Sequence, residues 1–237
     1  ISAILQTEHF DIAINPDANP QAARLLEMAS ATEKLGMGWD EAGHVRACNQ
    51  EAEAWLPMGV FDDIKRTNRE SYQTIIHQLC RLELIDPRPA LHLTETEQRF
   101  AEEYFQSMNL DRQRTVIGLN TGAGGRWAKK SWKVEEQVEL VHLVKEKHSE
   151  WQILLLGGPE EVERNQLLEK RCPNLVINIG QHPVRKFAAL VGQTHALVTA
   201  DTLALHIGLA LRRQIVALFG PTSHAEIDLC AEGEKLF

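Results

Sequence analysis

Residues 116–133 read VIGLNTGAGGRWAKKSWK, a short apolar run followed by a loop rich in glycine and lysine. The run from Val116 to Leu119 has the length and the branched side chains of a buried strand. The loop from Asn120 to Lys133 contains three glycines, four cations and no acid. Glycine lets backbone N–H groups approach an anion, and cations complement a diphosphate. The stretch therefore predicts an anion-binding loop at a strand end, although a solvated turn has the same composition.

Four more apolar runs follow, near 153–156, 176–179, 196–199 and 215–219. They alternate with helical segments near 134–148, 160–171, 184–191 and 202–211. Parallel strands need such crossovers, so the alternation predicts a doubly wound parallel sheet with helices on both faces. Ligands of these sheets lie beyond the carboxyl ends of the strands. We therefore expect the functional site in the loops that follow the strands.

The first part of the chain has a weaker pattern. Residues 10–15 predict a strand and 21–34 a helix, whereas 36–59 show no clear period and are predicted to be loop. An amphipathic helix is predicted for 71–82. The segment 86–89 contains two prolines and predicts a connector, after which Thr94 and Glu97 have the spacing of a capping box. We predict three regions, namely 1–85, 86–112 and 113–237.

The composition excludes several classes of protein. Lys and Arg number 25 against 33 Asp and Glu, a net charge of -8, which argues against nucleic-acid binding because that needs a positive surface. The four cysteines are scattered and have no CxxC spacing, which indicates reduced thiols and no metal site. No signal peptide or membrane span is visible, so we expect a cytoplasmic protein.

Two strand-end loops contain candidate ligand-binding residues besides the glycine-lysine loop. Asp201 and Thr202 begin a helix whose N–H groups and positive dipole end face the predicted crevice, and His206 lies one turn further on. Asp is also a common helix cap and a lone histidine is commonly structural, so both interpretations stay open. Glu160 and Glu161 are placed to bind sugar or ribose hydroxyls, or else to complement a helix dipole.

A turn follows the last apolar run. Gly220 and Pro221 predict a sharp exit from the strand, which places Thr222 and Ser223 at the rim of the same crevice. A plain turn without a ligand accounts for these residue types equally well. The chain has no GxxxxGK[ST] motif, so the sequence does not support ordinary nucleotide-triphosphate hydrolysis.

Four segments in order, GLNTGAGGRWAKKSW, LLLGGPEE, TADTLALHIGLAL and IVALFGPTS, resemble the ADP-heptose:lipopolysaccharide heptosyltransferases, glycosyltransferase family 9. The stretches FDIAIN and KLGMGW resemble that family more loosely. The resemblance implies a GT-B fold of two Rossmann-like domains. Residues 1–85 would be the remainder of the N-terminal acceptor-side domain, 86–112 a linker and connecting helix, and 113–237 the C-terminal domain that binds the nucleotide-sugar donor. We expect the N-terminal domain to be incomplete and the closing C-terminal helices to be missing.

The resemblance also implies roles for single residues. Lys130 would contact the donor phosphate and stabilise the leaving group, and the catalytic base, an Asp, would lie outside the chain. Leu203 stands where the family usually has Gly, and Lys133 stands where Pro is common. The expected donor-binding residues are Thr121, Gly122, Ala123, Lys130, Glu160, Glu161, His182, Asp201, Thr202, Leu203, His206, Gly220 and Thr222.

The activity implied by the resemblance is inverting transfer of heptose from ADP-heptose to the lipopolysaccharide inner core. It needs neither a metal nor another cofactor, and its lipid-linked acceptor implies peripheral contact with the cytoplasmic face of the inner membrane. The alternatives are a transferase that uses another nucleotide sugar, a binding protein or catalytically incomplete fragment, and a sugar-nucleotide epimerase. A dinucleotide-dependent oxidoreductase is disfavoured because no GxGxxG motif with a following acid has the required context.

Overall fold

The computed structural model describes residues 2–123, 132–220 and 222–237. The chain divides into two compact units. Unit 1 comprises Ile1–Pro87 and Ala225–Asp228, and unit 2 comprises Arg88–His224 and Leu229–Phe237. Lys130 and most of the predicted glycine-lysine loop lie outside the described residues. Within the described part of the chain, no helix combines the length and the apolar character needed to cross a membrane.

Unit 1 contains a three-stranded sheet in the order β1-β2-β3. Its strands are β1 (His9–Asn15), β2 (Ser30–Trp39) and β3 (Val45–Ala47). Strands β1 and β2 are parallel, whereas β3 runs antiparallel to the end of β2. The helices are α1 (Ser2–Thr7), α2 (Pro20–Met28), α3 (Gln50–Trp55), the 3-10 helix Leu56–Gly59, α4 (Asp62–Thr67) and α5 (Tyr72–Leu79).

Two predictions for unit 1 were wrong. The helix predicted for 21–34 ends at Met28, and residues 30–34 belong to β2. Strand β2 contains two glycines and two charged residues, so its local preference for a strand is weak, and pairing with β1 supplies the stabilisation. Residues 36–59, predicted to be loop, contain the end of β2, all of β3 and α3, and a 3-10 helix. The predictions of β1 and α5 are confirmed.

Unit 2 contains six parallel strands in the order β6-β5-β4-β7-β8-β9. The strands are β4 (Val116–Asn120), β5 (Gln152–Leu156), β6 (Ile177–Asn178), β7 (Ala196–Ala200), β8 (Gln214–Leu218) and β9 (Gly233–Leu236). The helices are α6 (Glu95–Ser107), α7 (Val134–Lys147), the 3-10 helix Pro159–Glu161, α8 (Val162–Arg171), α9 (Val184–Val191) and α10 (Leu203–Ala210). The five predicted strands are confirmed, and β9 is an additional one.

Helices cover both faces of this sheet, as expected for strands buried on two sides. In β5, Leu154 and Leu156 face a cluster that includes Phe105 of α6 and Leu190 of α9. Ile153 and Leu155, on the opposite face of β5, pack with residues of α7 and α8. The sequence therefore folds as the predicted doubly wound α/β sheet.

The predicted capping box begins α6. Thr94 Oγ1 accepts a hydrogen bond from Glu97 N at 3.3 Å, and Thr94 N donates to Glu97 Oε2 at 2.8 Å. Arg185 of α9 donates to both carboxylate oxygens of Glu97 at 2.7 Å. These bonds lower the pKa of Glu97 from 4.5 to about 2, with the guanidinium as the largest cause. One carboxylate therefore both caps α6 and joins it to α9.

The order of the strands determines where unit 2 leaves an open crevice. From β4 the chain adds β5 and β6 on one side, and it then returns to add β7, β8 and β9 on the other. The direction of winding thus reverses between β4 and β7. Crossover helices diverge at such a point, which leaves a crevice beyond the carboxyl ends of the two strands.

Candidate functional site

A cavity of about 360 Å³ lies in unit 2 at this carboxyl edge. Loops that follow four neighbouring strands form its wall. The lining residues are Asn120 at the end of β4 with Gly122 and Ala123 after it; Gly157, Gly158, Pro159 and Glu161 after β5; His182, Val184 and Phe187 after β6; and Thr202, Leu203 and Ala204 after β7. The volume is that of a small-molecule binding site.

Asn120 connects the loops on the two sides of the strand reversal. Its side-chain amide donates to Gly122 O at 2.9 Å, to Thr199 Oγ1 at 3.2 Å and to Thr202 Oγ1 at 3.3 Å. The two threonine hydroxyls are themselves 3.0 Å apart and hydrogen-bonded. The last residue of β4 thus fixes both its own loop and the start of α10.

Glu161 places a carboxylate in the cavity wall. The residue is only 9% exposed, and its Oε2 accepts a hydrogen bond from Gly158 N at 2.8 Å. Two glycines provide the space for its side chain. A Cβ atom at Gly122 would lie 2.3 Å from Glu161 Oε1, and one at Gly157 would lie 2.6 Å from Glu161 Cβ. The glycines of this site therefore set the position of an acid.

Helix α10 directs its amino terminus into the same cavity. Thr202 is the N-cap residue, in an extended conformation, and its side chain does not cap the helix because its hydroxyl bonds to Asn120 and Thr199. The side chain of the N-cap residue therefore makes no hydrogen bond to the first N–H groups of α10. A helix terminus of this kind carries partial positive charge and attracts anions.

The end of the cavity formed after β6 is apolar and aromatic. The ring of His182 lies edge-on to Tyr104 and Phe100, at centroid distances of 5.0 and 5.6 Å. His182 Nε2 lies 2.8 Å from Ile179 O, and since a carbonyl oxygen only accepts, this nitrogen carries the proton. The Tyr104 hydroxyl donates to the same carbonyl at 2.8 Å, and burial raises the pKa of Tyr104. The His182 ring is thereby fixed in orientation.

Comparison with known proteins assigns this chain to a family. Residues 2–235 match the family model for glycosyltransferase family 9 (heptosyltransferase). The chain belongs to glycosyltransferase family 9. The match covers both units of the fold, and it confirms the resemblance found in the sequence.

Two curated relatives of this family 9 chain have the name Lipopolysaccharide heptosyltransferase 2. The Escherichia coli (strain K12) protein is 26% identical over 187 residues, which are 70% of this chain and 51% of the relative. The Salmonella typhimurium protein is 30% identical over 144 residues, which are 57% of this chain and 38% of the relative. The chain thus spans about half, or less, of the length of these relatives.

Solved structures agree with the fold. A glycosyltransferase family 9 protein from Veillonella parvula matches with a TM-score of 0.69 and 22% identity, covering 95% of this chain and 62% of that chain. The structure of E. coli ADP-heptose lps heptosyltransferase II matches with a TM-score of 0.62 and 20% identity, covering 95% and 68%. These neighbours support the predicted GT-B type of α/β fold.

The structure of the family 9 chain brings together six of the predicted donor-binding residues. Thr121, by contrast, lies behind the wall, 1% exposed, with its hydroxyl bonded to Leu156 O and Asn165 Oδ1. The Thr222 hydroxyl is shielded and has no hydrogen-bond partner among the described residues. The residues on the wall are Gly122, Ala123, Glu161, His182, Thr202 and Leu203, whereas Thr121, Glu160, Asp201, His206, Gly220 and Thr222 are not on it.

Sequence reasoning missed several residues of the wall. Asn120 was not a candidate, although a polar residue that ends a buried apolar strand is a usable signal for a site at the strand's carboxyl end. Thr199 and Gln137 support the wall from behind, and Gln137 Nε2 donates to Thr121 O at 2.9 Å. Their contacts depend on how separate strands and helices are placed relative to each other. No local pattern in the sequence predicts that placement.

The described wall contains no lysine or arginine and one carboxylate. Across the described residues, no group of three or more His, Cys, Asp and Glu side chains is arranged to hold a metal ion. Among the described residues, the positive electrostatic potential in this part of the cavity therefore comes from the amino terminus of α10. Lys130, which we predicted to supply a full charge, lies outside the described residues and stays a prediction.

Proposed function

We propose that the protein containing this chain transfers heptose, with inversion, from ADP-heptose to a hydroxyl group of the lipopolysaccharide inner core. One observation carries the proposal. Loops after four parallel strands close on a single cavity at the winding reversal of unit 2, and that cavity combines a helix amino terminus with a carboxylate. Membership of family 9 and the names of the curated relatives support heptose as the transferred sugar.

The parts of the cavity suggest how the donor binds. We propose that the diphosphate lies against the first N–H groups of α10, next to Thr202, because anions are stabilised there. The carboxylate of Glu161 accepts hydrogen bonds from sugar or ribose hydroxyls, which are donors. The base lies toward His182 and the apolar residues beside it, since a planar heterocycle packs well against aromatic side chains.

In the proposed reaction an acceptor oxygen attacks the anomeric carbon from the face opposite the diphosphate. The bond from that carbon to the diphosphate oxygen breaks, and ADP leaves with the bonding electrons. A general base takes the proton of the acceptor hydroxyl. The developing negative charge on ADP is stabilised by the amino terminus of α10 and by Lys130, because fixed dipoles and charges act where charge forms.

Nucleotide titration tests the donor assignment on the chain as it stands. Calorimetric titration with ADP, UDP and GDP should show the tightest binding for ADP, and Thr202→Ala should weaken it. Tighter binding of UDP would overturn ADP-heptose as the donor. The absence of binding by any of the three nucleotides would overturn the site itself.

The role of Lys130 is tested by turnover in the full-length protein. We expect Lys130→Ala to reduce kcat by at least about a hundredfold while the fold is retained, since removing one group that stabilises transition-state charge has effects of this order. Lys133→Ala is the matched control, because Lys133 is exposed and its Nζ lies 4.0 Å from Glu136. Turnover by Lys130→Ala equal to that of the control would remove Lys130 from the mechanism.

A further inference from the structure

Unit 2 has another cavity, of about 190 Å³, at the edge of its sheet opposite the proposed donor site. The segments before β4, β7 and β8 supply most of its lining, so it lies at the amino ends of these strands. Strand β4 runs from one cavity to the other, a distance of roughly 15 Å for five residues. The lining residues are Phe105, Arg112, Val116, Gly192, Gln193, Thr194, His195 and Arg213.

The lining of this cavity is positively charged. It contains two arginines and a histidine but no carboxylate among the described residues, although the whole chain has a net charge of -8. Arg112 pairs with Glu102, outside the lining, at 3.3 Å, and both side chains are about half exposed. Water screens such a pair, so it contributes little. The cavity therefore keeps a positive electrostatic potential.

Arg213 is half-buried and has no anionic partner. Its Nε donates to Leu211 O at 2.8 Å and its Nη1 to Thr194 O at 3.1 Å. In the part of the chain that the structure describes, Nη2 makes no hydrogen bond and the guanidinium forms no ion pair. Partial burial of an unpaired cation costs free energy, which a bound anion would offset.

The bond to Leu211 O also allows a purely structural interpretation of Arg213. Leu211 is the C-cap residue of α10, and cations stabilise the carboxyl end of a helix. That role needs only the Nε hydrogen bond. It does not account for Nη2, which stays available at a cavity that already contains a second arginine.

Two uncharged side chains add hydrogen-bond donors. His195 Nδ1 accepts from Val116 N at 3.0 Å, so the neutral ring has its proton on Nε2. Gln193 Oε1 accepts from Arg112 Nη2 at 3.3 Å, which leaves its amide N–H groups for another partner. Neither His195 Nε2 nor Gln193 Nε2 makes a hydrogen bond to a residue that the structure describes. Both groups can therefore donate to a ligand.

The backbone acceptors beside the cavity are already in use. Leu190 O and Val191 O, at the carboxyl end of α9, accept from Gln193 N at 3.1 Å and from Thr194 N at 3.0 Å. Thr194 O accepts from Arg213. The cavity thus presents donors that lack acceptors, a set that selects for an anion with several oxygen atoms.

The charge and the volume of the cavity select among anions. A phosphate monoester carries a charge of about -1.5 to -2 at pH 7 and has three strong acceptor oxygens, which match two guanidinium groups and two further donors. A carboxylate has one charge and two oxygens, so it would leave one arginine without a partner. Pockets for drug-sized ligands begin at about 300 Å³, so this smaller cavity favours a compact ligand over a whole nucleotide.

We propose that this cavity binds a phosphate group, as inorganic phosphate or as the phosphomonoester of a small alcohol. Arg213 Nη2 and the Arg112 guanidinium pair with its charge, and His195 Nε2 and Gln193 Nε2 donate to its remaining oxygen lone pairs. The site is separate from the donor cavity and does not depend on the proposed function.

Inorganic phosphate is the probe that tests this site in the full chain. At constant ionic strength and neutral pH, the protein should broaden the phosphorus NMR signal of phosphate. Phosphate should also raise the melting temperature, because a ligand that binds only the folded state stabilises it. Acetate should displace phosphate only at a several-fold higher concentration. Absence of phosphate binding would overturn the proposal, and displacement by an equal concentration of acetate would overturn the choice of phosphate.

Variants of the two arginines locate the binding. Arg213→Gln should weaken phosphate binding by at least about tenfold, the effect of losing a hydrogen bond between charged groups. Arg213→Lys keeps the charge without the paired N–H groups, so it should be intermediate. Arg112→Gln changes an exposed side chain and should weaken binding several-fold. The control is Arg114→Gln, whose exposed arginine pairs with Asp111 at 3.2 Å outside the cavity, and it should bind as the wild type does.

The same variants distinguish a phosphate site from a helix cap. If Arg213 only stabilises the end of α10, Arg213→Gln will melt at a lower temperature, and phosphate will still raise that temperature as much as in the wild type. That result would overturn the proposal, as would equal phosphate affinity in the wild type, Arg213→Gln and Arg112→Gln. Arg112→Gln keeps the test decisive if Arg213→Gln does not fold.

Titrations of donor-site variants separate this cavity from the proposed donor site. Thr202→Ala should bind phosphate as the wild type does, and Arg213→Gln should bind ADP as the wild type does, because these residues lie at opposite edges of the sheet. Phosphate binding that is lost in Thr202→Ala and kept in Arg213→Gln would overturn the proposal. A chain that binds phosphate through Arg213 but does not bind ADP would support this site and overturn the donor site.

Discussion

An alanine at position 122 tests whether Glu161 belongs to the donor site. The new Cβ atom would lie 2.3, 2.4 and 2.6 Å from Oε1, Cγ and Cδ of Glu161, distances that no packed structure tolerates. All three atoms belong to a flexible side chain, so the carboxylate moves and the backbone stays. We therefore expect Gly122→Ala to fold, with the Glu161 carboxylate displaced from the cavity wall.

The contacts that Glu161 loses set the expected decrease in ADP affinity. Glu161 Oε2 loses its 2.8 Å bond to Gly158 N, and the carboxylate no longer faces the ligand. A hydrogen bond to a charged group contributes about 1.5 to 3 kcal/mol. Since about 1.4 kcal/mol is a factor of ten, ADP should bind Gly122→Ala about 10- to 150-fold more weakly than the wild type.

Calorimetric titration with ADP measures this effect, and Gly158→Ala is the matched control. A Cβ at residue 158 would meet Glu161 Oε2 at 3.4 Å, an ordinary contact, and the N–H of residue 158 would remain. Glu161→Gln keeps the shape of the side chain and removes its charge, so it should weaken ADP binding about as much as Gly122→Ala does. If Gly122→Ala and Glu161→Gln both bind ADP within twofold of the wild type, Glu161 does not contact the ADP part of the donor.

Two further predictions concern stability. Asn120→Ala removes three hydrogen bonds and leaves their acceptor groups without this donor. Chemical denaturation should therefore show a free energy of unfolding that is lower by about 1 to 3 kcal/mol. An unchanged denaturation midpoint would contradict the anchoring role of Asn120. The pKa of Glu97, lowered from 4.5 to about 2 by Arg185, makes the ion pair stabilising above pH 4.5, and this stabilisation is lost as the pH falls toward 2. Between pH 4.5 and 2, the melting temperature of Glu97→Gln should therefore fall less than that of the wild type. The variant Glu95→Gln, at an exposed site, is the control and should behave like the wild type. An equal fall of the melting temperature in all three proteins would refute the role of the ion pair.

The regular part of the fold was predictable because burial on two faces leaves a strong signal. The runs that became β4 to β8 are mostly apolar, as is typical of parallel strands covered by helices. Strand β2 has no such signal, because its sequence, Ser30–Trp39, includes Glu33, Lys34 and two glycines. Its extended conformation depends on the pairing of residues 30–36 with β1. Strand β9, only four residues long, likewise depends on its register with β8.

The candidate site was predictable as far as it depends on strand ends. Glu161 and Thr202 follow apolar runs, so parallel topology alone places them at one edge. The sequence does not show that Gly122 leaves room for Glu161, or that Asn120 bonds to two threonines about 80 positions away, because both facts require the strand order. His182 was among the candidates, but its contact with Tyr104 depends on how α6 packs.

The hydrogen bonds of Asn120 bear on how a transferase of this fold changes its substrate over evolutionary time. A single amide bonds to a backbone carbonyl on one side of the winding reversal and to two threonine hydroxyls on the other, so neither loop can shift without disturbing the other. A change of substrate specificity must then come from side chains that point into the cavity, because the backbone around them is fixed. Leu203, 56% exposed on the wall, is such a position, so a substitution there should change ligand binding more than it changes the fold.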